Sequence, residues 1–377
     1  MMTRALPIAV LAACFDPTPM LGQACSSWCP PPETCVAGTC ALMPEATGSS
    51  DAAPPPPPPV TGNYVFVTSE TKAVPDIGGP AGGDAWCNQL AATAHLPGSY
   101  TAWISAPGQH ARDRLAATGA RGWYRTDGLP FADTLDDLVG SGKMFYPPRY
   151  ADTRVDLSEV TSTVATGTTA DGSDASGFDC SGFSSPTGSL VTGSLLAGKM
   201  LWTDDSSTAT CGGEIRIYCF GNTENVAVSA PPPATGRHAF ITQMGVGISA
   251  SGRDAIDATC ASQAATAGLP GTYEALLPSG SDDAKARFAM TEPWVRSDNV
   301  ITLGSDFTMI APLDVDAFGV YQQGTSWLGE VGRDCTDWTT AGGTPNTADA
   351  GEVALGLLTA VGVYPCSNEF YAYCLEQ

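Results

Sequence analysis

Positive charge is scarce in this chain: 377 residues carry 17 Lys and Arg against 39 Asp and Glu, a formal net charge of -22. Such a balance repels phosphate backbones and anionic headgroups, which argues against nucleic acid as a partner. Histidine is scarcer still. His95, His110 and His238 stand on different segments, without the spacing of a zinc site. Beyond the N-terminus no run of 18 apolar residues occurs, so no later segment reads as a membrane-spanning helix. Charged residues are only 15% of the chain whereas Gly (42) and Pro (30) are plentiful, so loops are expected to outnumber regular elements. A hydrophobic share of 43% can still build cores, and the length predicts two or three domains.

The chain opens "MMTRALPIAVLAAC", with Arg4 ahead of an apolar run and small residues before Cys14. This reads as an export signal. "LAAC" at 11–14 resembles the bacterial lipobox, in which the cysteine is acylated and becomes the first residue. Residues 1–13 are therefore expected to be a lipoprotein signal peptide with Cys14 as the lipidation site; the alternative is an ordinary signal peptide cut nearby. Removing Cys14 from the 13 cysteines leaves an even set in three groups of four: Cys25, Cys29, Cys35, Cys40; Cys87, Cys180, Cys211, Cys219; and Cys260, Cys335, Cys366, Cys374. An even count in an exported chain predicts complete pairing. The first group lacks the CxxC pairs of a zinc knuckle, so two disulfides are expected there as well.

Composition divides the chain further. A small Cys-rich module (14–43) is followed by a Pro-rich linker (44–61) with six consecutive prolines, an extended stalk without internal hydrogen bonds. A second Pro-rich break (223–236) separates segments 62–222 and 237–377. These two are repeats of each other. "CNQLAATAHLPGSY" answers "CASQAATAGLPGTY", "WYRTDG" answers "WVRSDN", and "GFDC" answers "GRDC". Cys180 to Cys211 and Cys335 to Cys366 both span 31 residues, and each group closes with cysteines eight apart. Duplication of one domain accounts for this, with insertions before Cys180.

Periodicity supplies a coarse structure of the α+β class. Trp86, Cys87, Leu90, Ala91 and Ala94 recur at helical steps, as do Ile256, Cys260, Ala264 and Ala267. Gly268 and Pro270 end the second helix, and His95 takes the Gly268 position in the first, as a helix cap. Further helices are expected at "QHARDRLAA" and "DDAKARFAM", and strands at "NYVFVTS", "RHAFITQ", "SYTAWIS" and "TYEALLP". In "CGGEIRIYC" the residues Ile215, Ile217 and Cys219 share parity, as do Phe370, Ala372 and Cys374, so each closing stretch predicts one strand with a cysteine at either end.

With the helix cysteine, "LPGSYTAWIS", "VATGTTADGSDASGFDCSGF" and "GSLLAGKMLWTDDSSTATCGGEIRIYCFGN", the chain resembles the endostatin-like domains of collagens XV and XVIII, within the broader C-type lectin-like fold. The resemblance covers both repeats. It implies two tandem disulfide-bonded domains with nested pairing, Cys87 to Cys219, Cys180 to Cys211, Cys260 to Cys374 and Cys335 to Cys366; the cysteine spacing alone leaves all three connectivities of each group open. Zinc does not carry over, since the histidines are misplaced, nor does heparin binding, since basic residues are few. The lectin triplets that hold calcium are missing, and "LWTDD" at 201–205 is only an echo of them.

Chemistry beyond the scaffold is sparse. Asp171, Asp174 and Asp179 form a candidate calcium loop, against which stands a solvated loop; Asp334, the counterpart of Asp179, and also Asp314 and Asp316 are read as solvated. Arg125 with Asp127, and Arg296 with Asp298, are expected to form ion pairs within their turns; Arg114 and Arg287 are the other polar positions that both repeats keep. Trp103, Trp123, Trp202, Trp294 and Trp327 could stack against a sugar face, but core packing is expected for most of them, and His110 and His238 are read as surface residues. No metal or cofactor is assigned. The expected function is a non-catalytic, exported bacterial lipoprotein of the outer membrane, touching the membrane through its lipid alone and binding a carbohydrate or extracellular protein. The alternatives are a calcium-dependent glycan-binding lectin and an envelope hydrolase.

Overall fold

The computed structural model describes residues 60–228, 230–278, 283–322, 324, 326, 327, 334–340, 342 and 364–377, together with the backbone of 33–36, 39–42, 325, 346–349, 362 and 363. In the N-terminal unit two short strands, β1 (Glu33–Val36) and β2 (Thr39–Leu42), pair antiparallel with Cys35 opposite Cys40. The signal peptide, Cys14, Cys25, Cys29, the side chains of Cys35 and Cys40 and nearly all of the 44–61 linker lie outside the described residues.

The first repeat runs β3 (Asn63–Val67), β4 (Lys72–Ala73), α1 (Gly79–Thr93), β5 (Tyr100–Ala102), α2 (Ala111–Ala116), β6 (Trp123–Arg125), β7 (Pro130–Ala132), β8 (Thr163–Ala165), β9 (Ser189–Ser194), β10 (Thr208–Thr210), β11 (Glu214–Ile215) and β12 (Tyr218–Gly221). In the second come β13 (Arg237–Ile241), α3 (Arg253–Ala267), β14 (Tyr273–Ala275), β15 (Trp294–Val295), β16 (Ile301–Leu303) and β17 (Tyr373–Glu376). The main sheets have the same order, β5-β12-β3-β6-β7 and β14-β17-β13-β15-β16. In each, the first and last strands of the repeat lie side by side and antiparallel. The first strand also pairs parallel with the one that follows the helices, β3 with β6 and β13 with β15, a crossover that the long helix makes possible.

Burial explains the strand sequences. Every residue of "NYVFV" is buried: Tyr64 and Phe66 face α1, while Val65 and Val67 face the opposite core with Trp103, Trp123 and Phe220. A sheet covered on both faces reads as a continuous apolar run. The α1 face holds Trp86, Cys87, Leu90 and Ala91, and the α3 face Ile256, Cys260 and Ala264, the stripes that the helical spacing predicts. His95 adopts φ +56 just past α1, where α3 ends on Gly268 at φ +73. The "QHARDRLAA" helix forms as α2, but "DDAKARFAM" shortens to a 3-10 turn, Ala284–Arg287.

Four disulfides close the repeats: Cys87–Cys219, Cys180–Cys211, Cys260–Cys374 and Cys335–Cys366. The pairing is the nested one. The closing stretches are not single strands, however. Cys211 sits in a turn before β11, which pairs with β4, and the chain then shifts over to β12, which pairs with β3 and β5. Ile215, Ile217 and Cys219 are still all buried on the α1 side, so the parity holds although the hydrogen-bond partners change.

The segment between the repeats is held along its length. Arg121 and Asn225 form a β-bridge, the Val228 amide donates to Asp133 at 2.8 Å, and Asn299 Nδ2 donates to the Pro231 carbonyl at 3.2 Å. Phe145 and Tyr146 of the first repeat pack against Val300 and Ala311 of the second.

Candidate functional site

Directly after Asp179, the residues Cys180, Ser181, Gly182 and Phe183 take φ of +54, +53, +69 and +60; Cys335, Thr336, Asp337 and Trp338 repeat this at +55, +56, +55 and +61. Each repeat thus contains one turn of left-handed helix at its inner disulfide. For a residue with a Cβ this conformation costs about 1 kcal/mol or more. It survives because the disulfide holds one end and a fully buried ring, Phe183 or Trp338, holds the other. Trp338 also donates from Nε1 to the Pro278 carbonyl at 3.0 Å. The long helix starts against this turn: a Cβ on Gly79 would lie 3.2 Å from the Gly182 carbonyl oxygen, and one on Gly252 3.0 Å from that of Asp337. Both glycines precede the helix cysteine by eight residues, the one sequence signal that could have exposed the contact.

Around this turn the calcium candidates separate. Asp171 is used by its own loop, accepting from Thr169 Oγ1 at 2.7 Å and from the Ser173 amide and hydroxyl at 3.1 Å, which holds its carboxyl below the usual range. Asp174 and Asp179 converge. Asp174 Oδ1 and Asp179 Oδ2 are buried without a hydrogen-bond partner, and burial, then the Asp179 carboxyl, push Asp174 up. His110 Nδ1 accepts the Asp174 amide at 2.8 Å, so this ring is part of the loop and not a free surface group. Among the described residues no group of three or more His, Cys, Asp and Glu is placed to hold a metal. In the second repeat Asp334 is buried and caps the left-handed turn, accepting from the Asp337 amide at 3.1 Å.

Asp314 and Asp316, expected in solvent, are completely buried. Asp316 Oδ1 organises its turn by accepting the Phe318 and Val320 amides at 2.8 and 2.9 Å. Asp314 meets Arg296, itself buried, at 2.6 Å; the same guanidinium reaches Asp298 at 2.7 Å and the Met144 carbonyl of the first repeat at 3.0 Å. Burial pushes the Asp314 carboxyl up to about 7, against the pull of Arg296 and Lys199. Asp298 is also raised by burial, but Arg296 and the Tyr321 hydroxyl outweigh that and hold it low. Lys199, from the first repeat, donates to the Gly324 carbonyl at 3.3 Å. The expected pair within the first turn, Arg125 with Asp127, is present too. Arg114 and Arg287 each clamp the long helix to the sheet through Asp84 (2.5 Å) and Asp257 (2.7 Å). Trp103, Trp123, Trp202, Trp294 and Trp327 are all at most 1% exposed, so none of the five presents a face for a sugar.

An open groove of about 350 Å³ lies where the β8-β9-β10 sheet meets β4 and β11. Thr71, Val160, Thr163 and Glu214 are its exposed rim, with half-buried Arg216 beside them, while Ala165, Thr192 and Ile215 are buried beneath. Thr71 Oγ1 donates to Glu214 at 2.6 Å, and Thr192 Oγ1 to Asp205 of "LWTDD" at 2.9 Å. Burial raises the Asp205 carboxyl. Arg216 Nη1 donates to the Thr68 carbonyl at 2.6 Å. Backbone pairing fixes the rim strands, so hydroxyl, carboxylate and guanidinium groups are presented from a prearranged surface. None of these rim residues stood out in the sequence, because threonines on short strands carry no spacing signal.

No family model matches the chain, and no curated protein matches its sequence.

Proposed function

We propose that this protein is an exported, non-catalytic binding protein. Its repeats are two C-type lectin-like, endostatin-like domains, carried at the bacterial outer membrane by a lipid on Cys14, and they recognise a polysaccharide, matrix component or protein. The observation that carries the binding reading is the open groove on paired strands, a concave surface whose rim mixes hydroxyl, carboxylate and guanidinium groups with the exposed Val160. The nested disulfides support the lectin-like assignment, and disulfides are consistent with export. Joining the first and last strands of each repeat at the sheet centre leaves the intervening chain free to form the loop-rich lobe where binding residues concentrate.

A glycan array run with the mature chain, with and without EDTA, tests this reading. Binding that survives chelation is expected; a blank array together with no protein captured from matrix extracts would sink it. A calcium-dependent lectin is the second reading, favoured by the unpartnered oxygens of Asp174 and Asp179. Loss of array binding in EDTA, and its loss in Asp179→Asn, would move the assignment to that reading.

A further inference from the structure

We propose that the groove of the first repeat seats a carboxylated saccharide of the uronic-acid kind, and that Arg216 selects the acid. This rests on the binding reading above and names the ligand class for it.

The argument begins with where the cations are spent. Arg114, Arg121, Arg125, Arg149, Arg287 and Arg296 are each paired with a carboxylate. Among the described residues Arg154, Arg216 and Arg237 have no such partner; Arg154 and Arg237 reach backbone carbonyls of Ala94 and of Ala289 and Glu292, and of the three it is Arg216 that lines the groove. Its Nη1 is tied to the Thr68 carbonyl at 2.6 Å, while Nε and Nη2 make no hydrogen bond to the described protein and are not among its buried unsatisfied atoms. The bond to Thr68 restrains one nitrogen, and the remaining edge, Nε with Nη2, is left without a protein partner beside the groove that Arg216 lines; two parallel N–H donors are what a carboxylate accepts in bidentate fashion. Glu214 lines the same groove, with its Oε2 held by Thr71 Oγ1.

The rest of the groove narrows the ligand further. Val160, 63% exposed, and the half-buried Ala209 give the groove an apolar surface on which the C–H face of a sugar ring can rest. Thr163 is exposed at the rim, and its hydroxyl both donates and accepts, as ring hydroxyls do. A net charge of -22 opposes any polyanion at long range, so recognition depends on the local ion pair, and short oligomers should bind as well as long ones.

The test is calorimetric titration of the mature full-length chain with trigalacturonate and with its fully methyl-esterified form, which keeps the rings and removes the charge. The acid is expected to bind at least about tenfold more tightly than the ester. Arg216→Gln should erase that preference, and Thr163→Trp, which fills the rim without touching the core, should abolish binding of both. Equal binding of acid and ester by the unaltered protein, or a preference that persists in Arg216→Gln, overturns the assignment and leaves the binding reading in place. So does a peptide that binds through its terminal carboxylate while trigalacturonate does not. If the glycan array is blank and matrix extracts yield no partner as well, the inference falls together with the reading beneath it.

Discussion

Arg296 of the second repeat donates from Nη2 to the carbonyl oxygen of Met144 in the first, 3.0 Å away. The Tyr321 hydroxyl, which donates to Asp298 at 2.8 Å, lies 3.1 Å from the same oxygen, and the Ile301 amide donates to the Tyr146 hydroxyl at 3.1 Å. The repeats are therefore joined by buried polar contacts, and a charged group at their centre belongs to both.

Replacing Arg296 by Gln should destabilise the protein by about 3–5 kcal/mol, because the buried cation shared by Asp298, Asp314 and the Pro312 and Met144 carbonyls would be gone. Denaturant unfolding followed by tryptophan fluorescence measures this. The unaltered protein should unfold in one transition and Arg296→Gln in two, as the repeats uncouple. Arg125→Gln, whose lost hydrogen bonds lie within the first repeat, should lower stability without splitting the transition.

Asp314 imposes a pH dependence of definite sign. Its folded carboxyl, raised to about 7 from 3.8, releases its proton later than the unfolded chain does. The stability this group contributes is complete below pH 3.8 and is lost progressively as pH rises to about 7. Asp314→Asn removes the titration while keeping an oxygen for Arg296. Thermal melts from pH 4 to 8 should show the variant gaining on the unaltered protein as pH rises, by roughly 1 kcal/mol per pH unit at most. A constant difference across that range would refute the burial of an ionisable group at this joint.

Relieving the left-handed turn should be stabilising. Ser181 is exposed and held at φ +53, so Ser181→Gly removes the Cβ conflict and should raise stability by about 1 kcal/mol, offset in part by the greater freedom of the unfolded chain. The same change elsewhere on an exposed loop at negative φ should do the opposite. Equilibrium unfolding of the two variants side by side distinguishes strain relief from a general glycine effect.

Removing the inner disulfide of the first repeat, as Cys180→Ala with Cys211→Ala, should cost about 2–5 kcal/mol. It should also free the turn at its anchored end, seen as faster amide exchange at residues 181–184. Faster exchange confined to the turn supports its being held by the bond, whereas unchanged exchange would show that the Phe183 ring alone suffices.

Sequence periodicity disclosed the long helices and the central strands because their apolar stripes are dictated by backbone geometry, at steps of 3.6 and 2 residues. The duplicate cysteine spacing likewise exposed the repeat. Asp314 and Asp316 were misread for an opposite reason. In "LDVDA" both carboxylates look solvated; Asp314 is compensated by a guanidinium 18 residues earlier, and Asp316 by the Phe318 and Val320 amides of a turn that forms only in the fold. The left-handed turns were equally hidden: "CSGF" and "CTDW" share little beyond a cysteine and an aromatic ring, and only Gly182 and, more weakly, Asp337 have a local tolerance for that backbone.

The sequence by itself determined the α+β class, the two repeats, their amphipathic elements and the cysteine landmarks, since each follows from residue order over a few turns or from self-similarity along the chain. Tertiary structure alone decided which carboxylates lose their water, how the repeats lock together, which arginine keeps an open edge, and where the groove lies. Desolvation and charge pairing depend on groups that arrive from distant parts of the chain, and neighbouring residues cannot specify them.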